Sequence, residues 1–357
     1  MGRKLWKLVK SCMLFVGTIS AIFTILFVVI AKLTPKPVAW LLHKVFDKPA
    51  AKPSKDMQAE NVQEIENIHY GESTQEVLDL YVPVEKGEYP VILWIHGGAF
   101  VGGDKKDVIY FARALAKRGY AVAAINYGLA PEAQYPTPIL QTNKAYEFLL
   151  QGTYLEKEKL DMSQVFLAGD SAGAFIAVQC ALLQTNEEYR QAFLKRECIT
   201  DIPKINYKGM LLYCGPYLLA ETNRIDSPFV SFFIKQVQWA YFGDKNFAKN
   251  EHLSEIDVIQ YITKEYPPTF ITDGNTFSFA EHGKALAEKL KDEGVEVAEL
   301  FFDNKEKIMH EYQFDLSNKA GKEAFETTLS FLEKHSDTSQ CVPAEGFYTL
   351  EKQFPSI

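Results

Sequence analysis

From about residue 75 onward the chain alternates short apolar runs with longer segments in which apolar residues recur every three or four positions. The first pattern predicts buried strands, and the second predicts helices packed on them by one face. Strand-like runs fall at Gln75–Val82, Val91–Ile95, Ala121–Tyr127, Val165–Ala168, Gly209–Cys214, Pro268–Thr272 and Val295–Phe302. Helix-like segments lie between them near Asp107–Arg118, Pro138–Gln151, Ala172–Leu183, Phe279–Glu293 and Ser317–His335. Such alternation implies an α/β fold with a mostly parallel central sheet and helices on both faces. The rhythm breaks over about residues 216–266, where Ser227-Pro228-Phe229-Val230-Ser231-Phe232-Phe233-Ile234 leads into Trp239, Tyr241 and Phe242. This stretch reads as an inserted helical cap, whose aromatics line a pocket, pack on the sheet edge as an ordinary amphipathic helix, or do both.

A different pattern opens the chain. Ser11 to Ala31 is a run of 21 uncharged residues rich in Phe, Ile, Leu and Val. At about 1.5 Å per residue it spans about 30 Å, one bilayer core, and predicts a transmembrane helix at 11–31. Arg3, Lys4, Lys7 and Lys10 make residues 1–10 a basic arm that the positive-inside tendency places in the cytoplasm, with the remainder outside. Lys32, Lys36 and Lys44 on the other flank pull against that orientation. A cleaved signal peptide and secretion is the rival reading, although its apolar region is ordinarily only about 7–15 residues. A buried soluble helix is the third. Cys12 precedes the apolar run and does not read as a lipoprotein cysteine. Pro37 to Phe46, with Trp40, Leu41, Leu42 and Val45, reads as a short helix lying at the bilayer surface or packed on the domain. With the polar linker from Pro49 to Asn61 it makes up a juxtamembrane region, residues 32–60, and an irregular tail is expected over residues 336–357.

Composition agrees with one large domain: 47% of the 357 residues are hydrophobic, enough to bury the core of a single α/β unit over residues 61–335. Charge divides the chain, with net +9 through Lys55 and net −17 after it. An acidic body beside a basic, apolar leader argues against nucleic-acid binding. Cys12, Cys180, Cys198, Cys214 and Cys341 are scattered and odd in number, which gives no disulfide framework; with the seven histidines they show no spacing typical of zinc, so neither metal nor cofactor is expected.

The chemistry concentrates in two motifs. Gly169-Asp170-Ser171-Ala172-Gly173 stands between the run Val165–Ala168 and the small-residue stretch Ala174, Phe175, Ile176, Ala177. A serine at the apex of so sharp a strand-to-helix turn has an exposed hydroxyl, and the glycines let strand and helix approach closely. That context favours a serine nucleophile over a chance surface turn. Upstream, the strand-like run Pro90–Ile95 ends in His96-Gly97-Gly98-Ala99-Phe100. A glycine pair there leaves backbone N–H groups unshielded, so Gly98 and Ala99, with Ala172 after the serine, are candidate donors to the oxyanion of acyl transfer.

His96-Gly97-Gly98-Ala99-Phe100, Tyr127-Gly128-Leu129-Ala130-Pro131-Glu132 and Gly169-Asp170-Ser171-Ala172-Gly173 together resemble the α/β-hydrolases of the hormone-sensitive-lipase-like esterase group, from about Glu60 to His335. Ala99 replaces the family's usual third glycine, and Gly128 stands where arginine is common. The resemblance implies an α/β-hydrolase fold with a cap, an ester-hydrolysing (carboxylesterase or lipase-like) activity on small-molecule esters, no cofactor, and the triad order serine, acid, histidine. His310, in Met309-His310-Glu311-Tyr312, is the one histidine after the last strand and before the last helix, the place of the base. The family's usual place for the acid falls at Thr276–Ser278, none of which is a carboxylate. Asp273, which closes the strand just before Gly274, is the nearest candidate, with Asp303, Glu281 and Glu221 in reserve; Asp273 could equally serve only the Asp-Gly turn. A peptidase or amide hydrolase on the same fold, or a membrane-tethered non-catalytic binding module, are the competing readings.

Overall fold

The computed structural model describes residues 2–47, 61–85, 87–152, 160–219, 228–247, 250 and 252–337. The expected linker, apart from Asn61, the tail beyond Asp337 and the reserve acid Glu221 lie outside the described residues.

Helix α1 (Gly2–Leu33) runs past the expected 11–31 at both ends, since the flanking lysines and leucines are themselves good helix formers. Its Met13–Leu33 segment is long and apolar enough to cross a membrane, and from Met13 to Ile30 its side chains are exposed apart from half-buried Phe27. Thr34 and Pro35 break the helix, and α2 (Lys36–Phe46) follows. Helix α2 packs on the domain through buried Val38 and Ala39, while Trp40 and Val45 remain exposed. Lys36 faces Glu132 at 3.8 Å, and the Lys245 ammonium donates to the Lys32 carbonyl at 2.5 Å.

The body is built from β1 (Val62–His69), β2 (Val77–Pro83), β3 (Tyr89–Ile95), α3 (Ile109–Ala116), β4 (Ala121–Ile125), α4 (Thr137–Gln151), β5 (Leu160–Asp170), α5 (Ala172–Thr185), α6 (Glu187–Arg196), β6 (Tyr207–Tyr213), α7 (Pro228–Phe242), α8 (Leu253–Ile256), β7 (Thr269–Asp273), α9 (Ala280–Asp292), β8 (Val297–Phe301) and α10 (Lys319–His335). Among the described residues one sheet is formed, in the order β1-β2-β4-β3-β5-β6-β7-β8. The β1–β2 and β2–β4 pairs are antiparallel and all others parallel. This is the expected α/β-hydrolase architecture.

Both sheet faces are covered, which is why the central strands read as unbroken apolar runs. Along β3, Val91, Leu93 and Ile95 enter one core while Ile92 and Trp94 enter the other, the two-residue alternation of a pleated strand. Helix α5 belongs to the first core and α3 and α10 to the second. Residues 172–183 of α5 are buried on every side, so this helix is a rigid central support.

The topology sets the site. β3 and β5 are parallel neighbours, paired from Tyr89↔Leu160 to Ile95↔Gly169, so the glycine loop and the Ser171 turn leave the same edge of the sheet. Carboxyl ends of such strands are where the sites of open α/β sheets gather. A short 3₁₀ turn after the glycine loop, Lys105–Val108, is held by a buried ion pair from Lys105 to Asp79 on β2 (2.6 Å). In the cap interval, α7 supplies the aromatics foreseen: Tyr241 stacks on Phe100 with ring centroids 3.9 Å apart, and Tyr241 and Phe242 are buried. Tyr241 thereby packs on the end of the glycine loop, while Phe242 packs on Tyr135 and Phe247.

Candidate active site

Ser171 has φ 47° and ψ −116°, a conformation L-residues avoid and one that holds its side chain at the apex of the turn. Its N–H donates to the Tyr213 carbonyl at 2.8 Å, which ties the turn to β6. A Cβ on Gly173 would collide with the Ile95 carbonyl, and one on Gly169 would lie 2.5 Å from Gly173 backbone. Glycine is therefore required for β3, β5 and α5 to meet beneath the serine.

His310 arrives on the loop after β8. This loop folds back on the one after β7: Asn275 and Thr276 donate to the Ile308 carbonyl, both at 2.9 Å, and His310 N–H donates to Thr276 at 3.1 Å. The imidazole Nε2 then lies 3.2 Å from Ser171 Oγ. On the ring's other side, Nδ1 lies 3.5 Å from Asp273 Oδ1. Asp273, at the end of β7, is 1% exposed; its Oδ1 accepts from Gly274 N–H at 2.7 Å and its Oδ2 from Phe279 N–H at 2.6 Å. Those two amides fix the carboxylate beside the imidazole. Asp303 and Glu281 instead pair at the surface with Lys305 and Lys284, each at 2.8 Å.

Gly98, Ala99 and Phe100 all have positive φ, 103°, 52° and 62°. The Gly98 carbonyl accepts from Val101 and Gly102, closing a tight turn. Among the described residues the amides of Gly98 and Ala99 have no hydrogen-bond acceptor, and Ala172 stands in the first turn of α5, where N–H groups lack intrahelical partners. The loop abuts the nucleophile turn, since a Cβ built on Gly97 would stand 3.0 Å from Ser171 Cβ. Asp170 makes that junction: one carboxylate oxygen accepts from Trp94 Nε1 and the other from Gly97 N–H, both at 2.7 Å. Burial raises its carboxyl to about 7. His96 is buried too, stacked on Tyr127 at 4.4 Å, and desolvation lowers its imidazole to about 4, so it stays neutral and serves the loop's packing. Chemically, the site offers a hydroxyl beside a base, a carboxylate behind that base, and a cluster of unpaired amides, the parts needed for acyl transfer.

The profile of the BD-FAE family matches residues 78–290, more than half of the chain. The chain belongs to the BD-FAE family. Among curated relatives, this BD-FAE chain is 34% identical over 125 residues to a probable isoprenylcysteine alpha-carbonyl methylesterase of Oryza sativa subsp. japonica, a match covering 34% of this chain and 29% of that protein. It is also 34% identical over 114 residues to the gibberellin receptor GID1A of Arabidopsis thaliana, covering 31% and 33%. The chain thus spans about a third or less of the length of these relatives. Among solved structures, esterase B from Lactobacillus rhamnosis superposes with a TM-score of 0.66 at 22% identity, covering 78% of the BD-FAE chain and 86% of its own. The fold and the esterase-group resemblance read from the sequence agree with these matches.

Two features of the BD-FAE site were not foreseen. The Asp170–Trp94 bond joins residues far apart in sequence, and only the strand pairing brings them together. Replacing Asp170 with alanine should strand two buried donors, lowering stability by about 2–6 kcal/mol at roughly 1–3 kcal/mol each; urea unfolding of the purified protein measures this, and an unchanged midpoint would refute it. The second feature is Glu311. Its φ of 62° turns the chain back, so its Oε1 lies 3.5 Å from His310 Nε2 while its Oε2 accepts from Gln313 Nε2 at 2.6 Å. Burial, then the charge of nearby Asp170, pushes the Glu311 carboxyl well above the usual carboxylate range.

Proposed function

We propose that this BD-FAE protein is a serine carboxylesterase, held at a membrane by α1, that hydrolyses short to medium acyl esters through Ser171, His310 and Asp273. The observation that carries this reading is the 3.2 Å approach of His310 Nε2 to Ser171 Oγ, with a buried carboxylate on the imidazole's other nitrogen. In the proposed cycle, His310 takes the serine proton as Oγ attacks the ester carbonyl carbon. The amides of Gly98, Ala99 and Ala172 hold the tetrahedral oxygen; one such donor is ordinarily worth about 3–4 kcal/mol. The tetrahedral carbon collapses, the bond to the alkoxy oxygen breaks, and His310 protonates the departing alcohol. Water, deprotonated by the same ring, then releases the acid from the acyl-enzyme. Asp273 keeps the proton on Nδ1, so that Nε2 presents a lone pair to the serine. Residues 61–335 would form the catalytic domain with its cap, and the basic arm would place that domain outside the cytoplasm.

Detergent-solubilised full-length protein should label with a fluorophosphonate at Ser171. Across p-nitrophenyl esters from acetate to palmitate, kcat/KM should peak among the shorter chains and exceed that for aminoacyl anilides. The likeness to a gibberellin receptor favours, as a second reading, a ligand-binding module without turnover. Failure to label, together with no turnover of any ester, would select that reading and remove the first.

A further inference from the structure

We propose that Cys214, His310 and Glu311 form a binding site for Zn²⁺ or a similar thiophilic divalent cation, and that its occupation shuts off the active site. The Cys214 thiol, one imidazole nitrogen and one Glu311 carboxylate oxygen all lie within 4.8 Å of one another. Donors around a tetrahedral zinc, at bond lengths of about 2.0–2.3 Å, stand roughly 3.5 Å apart, so small side-chain rotations close the cluster. One sulfur, one nitrogen and one oxygen are donors zinc accepts, and three protein ligands leave a fourth position for water.

The spacing along the chain hid this set. Cys214 follows β6 nearly a hundred residues before the other two, and Glu311 reaches the ring only because its backbone is left-handed. Beneath the cleft, the Cys214 side chain is fully buried and donates to Gln313 Oε1 at 3.4 Å. His310 and Glu311 are partly open, at 23% and 28% exposure, so an incoming ion meets imidazole and carboxylate first and the sulfur last. Binding replaces the S–H bond by a Zn–S bond, releases that proton, together with any proton on the Glu311 carboxyl, to solvent and frees Gln313. A dication neutralises the thiolate and the Glu311 carboxylate together, in surroundings that already contain Asp170 and Asp273. On either ring nitrogen the metal disables His310: at Nε2 it takes the lone pair that would accept the serine proton, and at Nδ1 it displaces the Asp273 contact.

Full-length protein stripped with a chelator and titrated with zinc against a chromophoric competitor should bind about one ion per chain. Cobalt(II) should give a thiolate-to-metal charge-transfer band in the near ultraviolet, absent in Cys214→Ser. Cys214→Ser and Glu311→Gln, each checked for an unchanged melting temperature, should weaken zinc at least about tenfold, since even outer partners of such ligands carry roughly 10–100-fold in affinity. Inhibition of ester turnover by zinc, reversed by chelator and relieved in both variants, is the functional arm and rests on the proposed esterase reading. Zinc binding with the cobalt signature but without ester turnover would leave the site standing and remove that reading. No stoichiometric binding, or equal zinc affinity and equal inhibition in wild type and both variants, would overturn the site; should one variant fail to fold, the other and the cobalt spectrum decide.

Discussion

With alanine in place of Ser171, turnover of p-nitrophenyl esters is expected to fall about 10⁶-fold, the loss seen when a triad nucleophile is removed. The backbone there is fixed by the bond to Tyr213 and by the glycine contacts with β3, none of which needs the hydroxyl. Alanine should therefore leave the melting temperature nearly unchanged, and KM, where measurable, should move little. Fluorophosphonate labelling should vanish in parallel. A Ser171→Ala protein that retains activity within about tenfold of wild type would place the chemistry elsewhere in the molecule.

Asp273→Asn is expected to cost about 10⁴-fold in kcat, the price of presenting the wrong imidazole tautomer to the serine. The side chain is held by two amide donors, Gly274 N–H on one oxygen and Phe279 N–H on the other. An asparagine has one acceptor oxygen for those two amides, and its NH₂ must take either the place of Oδ1, which faces both Gly274 N–H and His310 Nδ1, or that of Oδ2, which faces Phe279 N–H. Facing the ring, it donates to Nδ1, drives the proton to Nε2 and leaves no lone pair for Ser171. Facing an amide, it strands a buried N–H and loosens the loop that carries the ring. Asp303→Asn and Glu281→Gln should keep near-normal rates, because both carboxylates sit in surface ion pairs. Steady-state rates for the three variants decide the matter, and near-normal turnover by Asp273→Asn would end its assignment as the triad acid.

What the sequence made legible follows from how local each signal is. The segments Val91–Ile95 of β3, Val165–Ala168 of β5 and Gly209–Tyr213 of β6 are covered on both faces, so each is an apolar run visible within a short window. β1 escaped notice because it is an edge strand with a register shift between Ile65 and Ile68, which blurs its two-residue alternation. Helix α6 was hidden by its charge; its clearest cue was Asn186, whose side chain caps Tyr189 N–H. The candidate nucleophile, base and acid could be placed from strand ends and chain order. Glu311 could not, although it follows His310 directly. Consecutive residues normally point apart, and only a left-handed backbone brings both side chains into one cleft. No pattern of polar and apolar letters encodes that reversal at a glutamate.

The seating of α2 on the body bears on how the protein is shortened for study. A Cβ on Gly102 would stand 3.0 Å from Phe46 Cβ and 3.2 Å from His43 Cα, so the second helix walls the segment that begins at the glycine turn. Trimming the chain at about residue 50, the natural cut if one keeps only the hydrolase-like portion, discards that wall and bares the greasy seat of Val38 and Ala39. A cut between Leu33 and Lys36 sheds the long apolar rod yet keeps the wall in place, and is the better starting point for a water-soluble version.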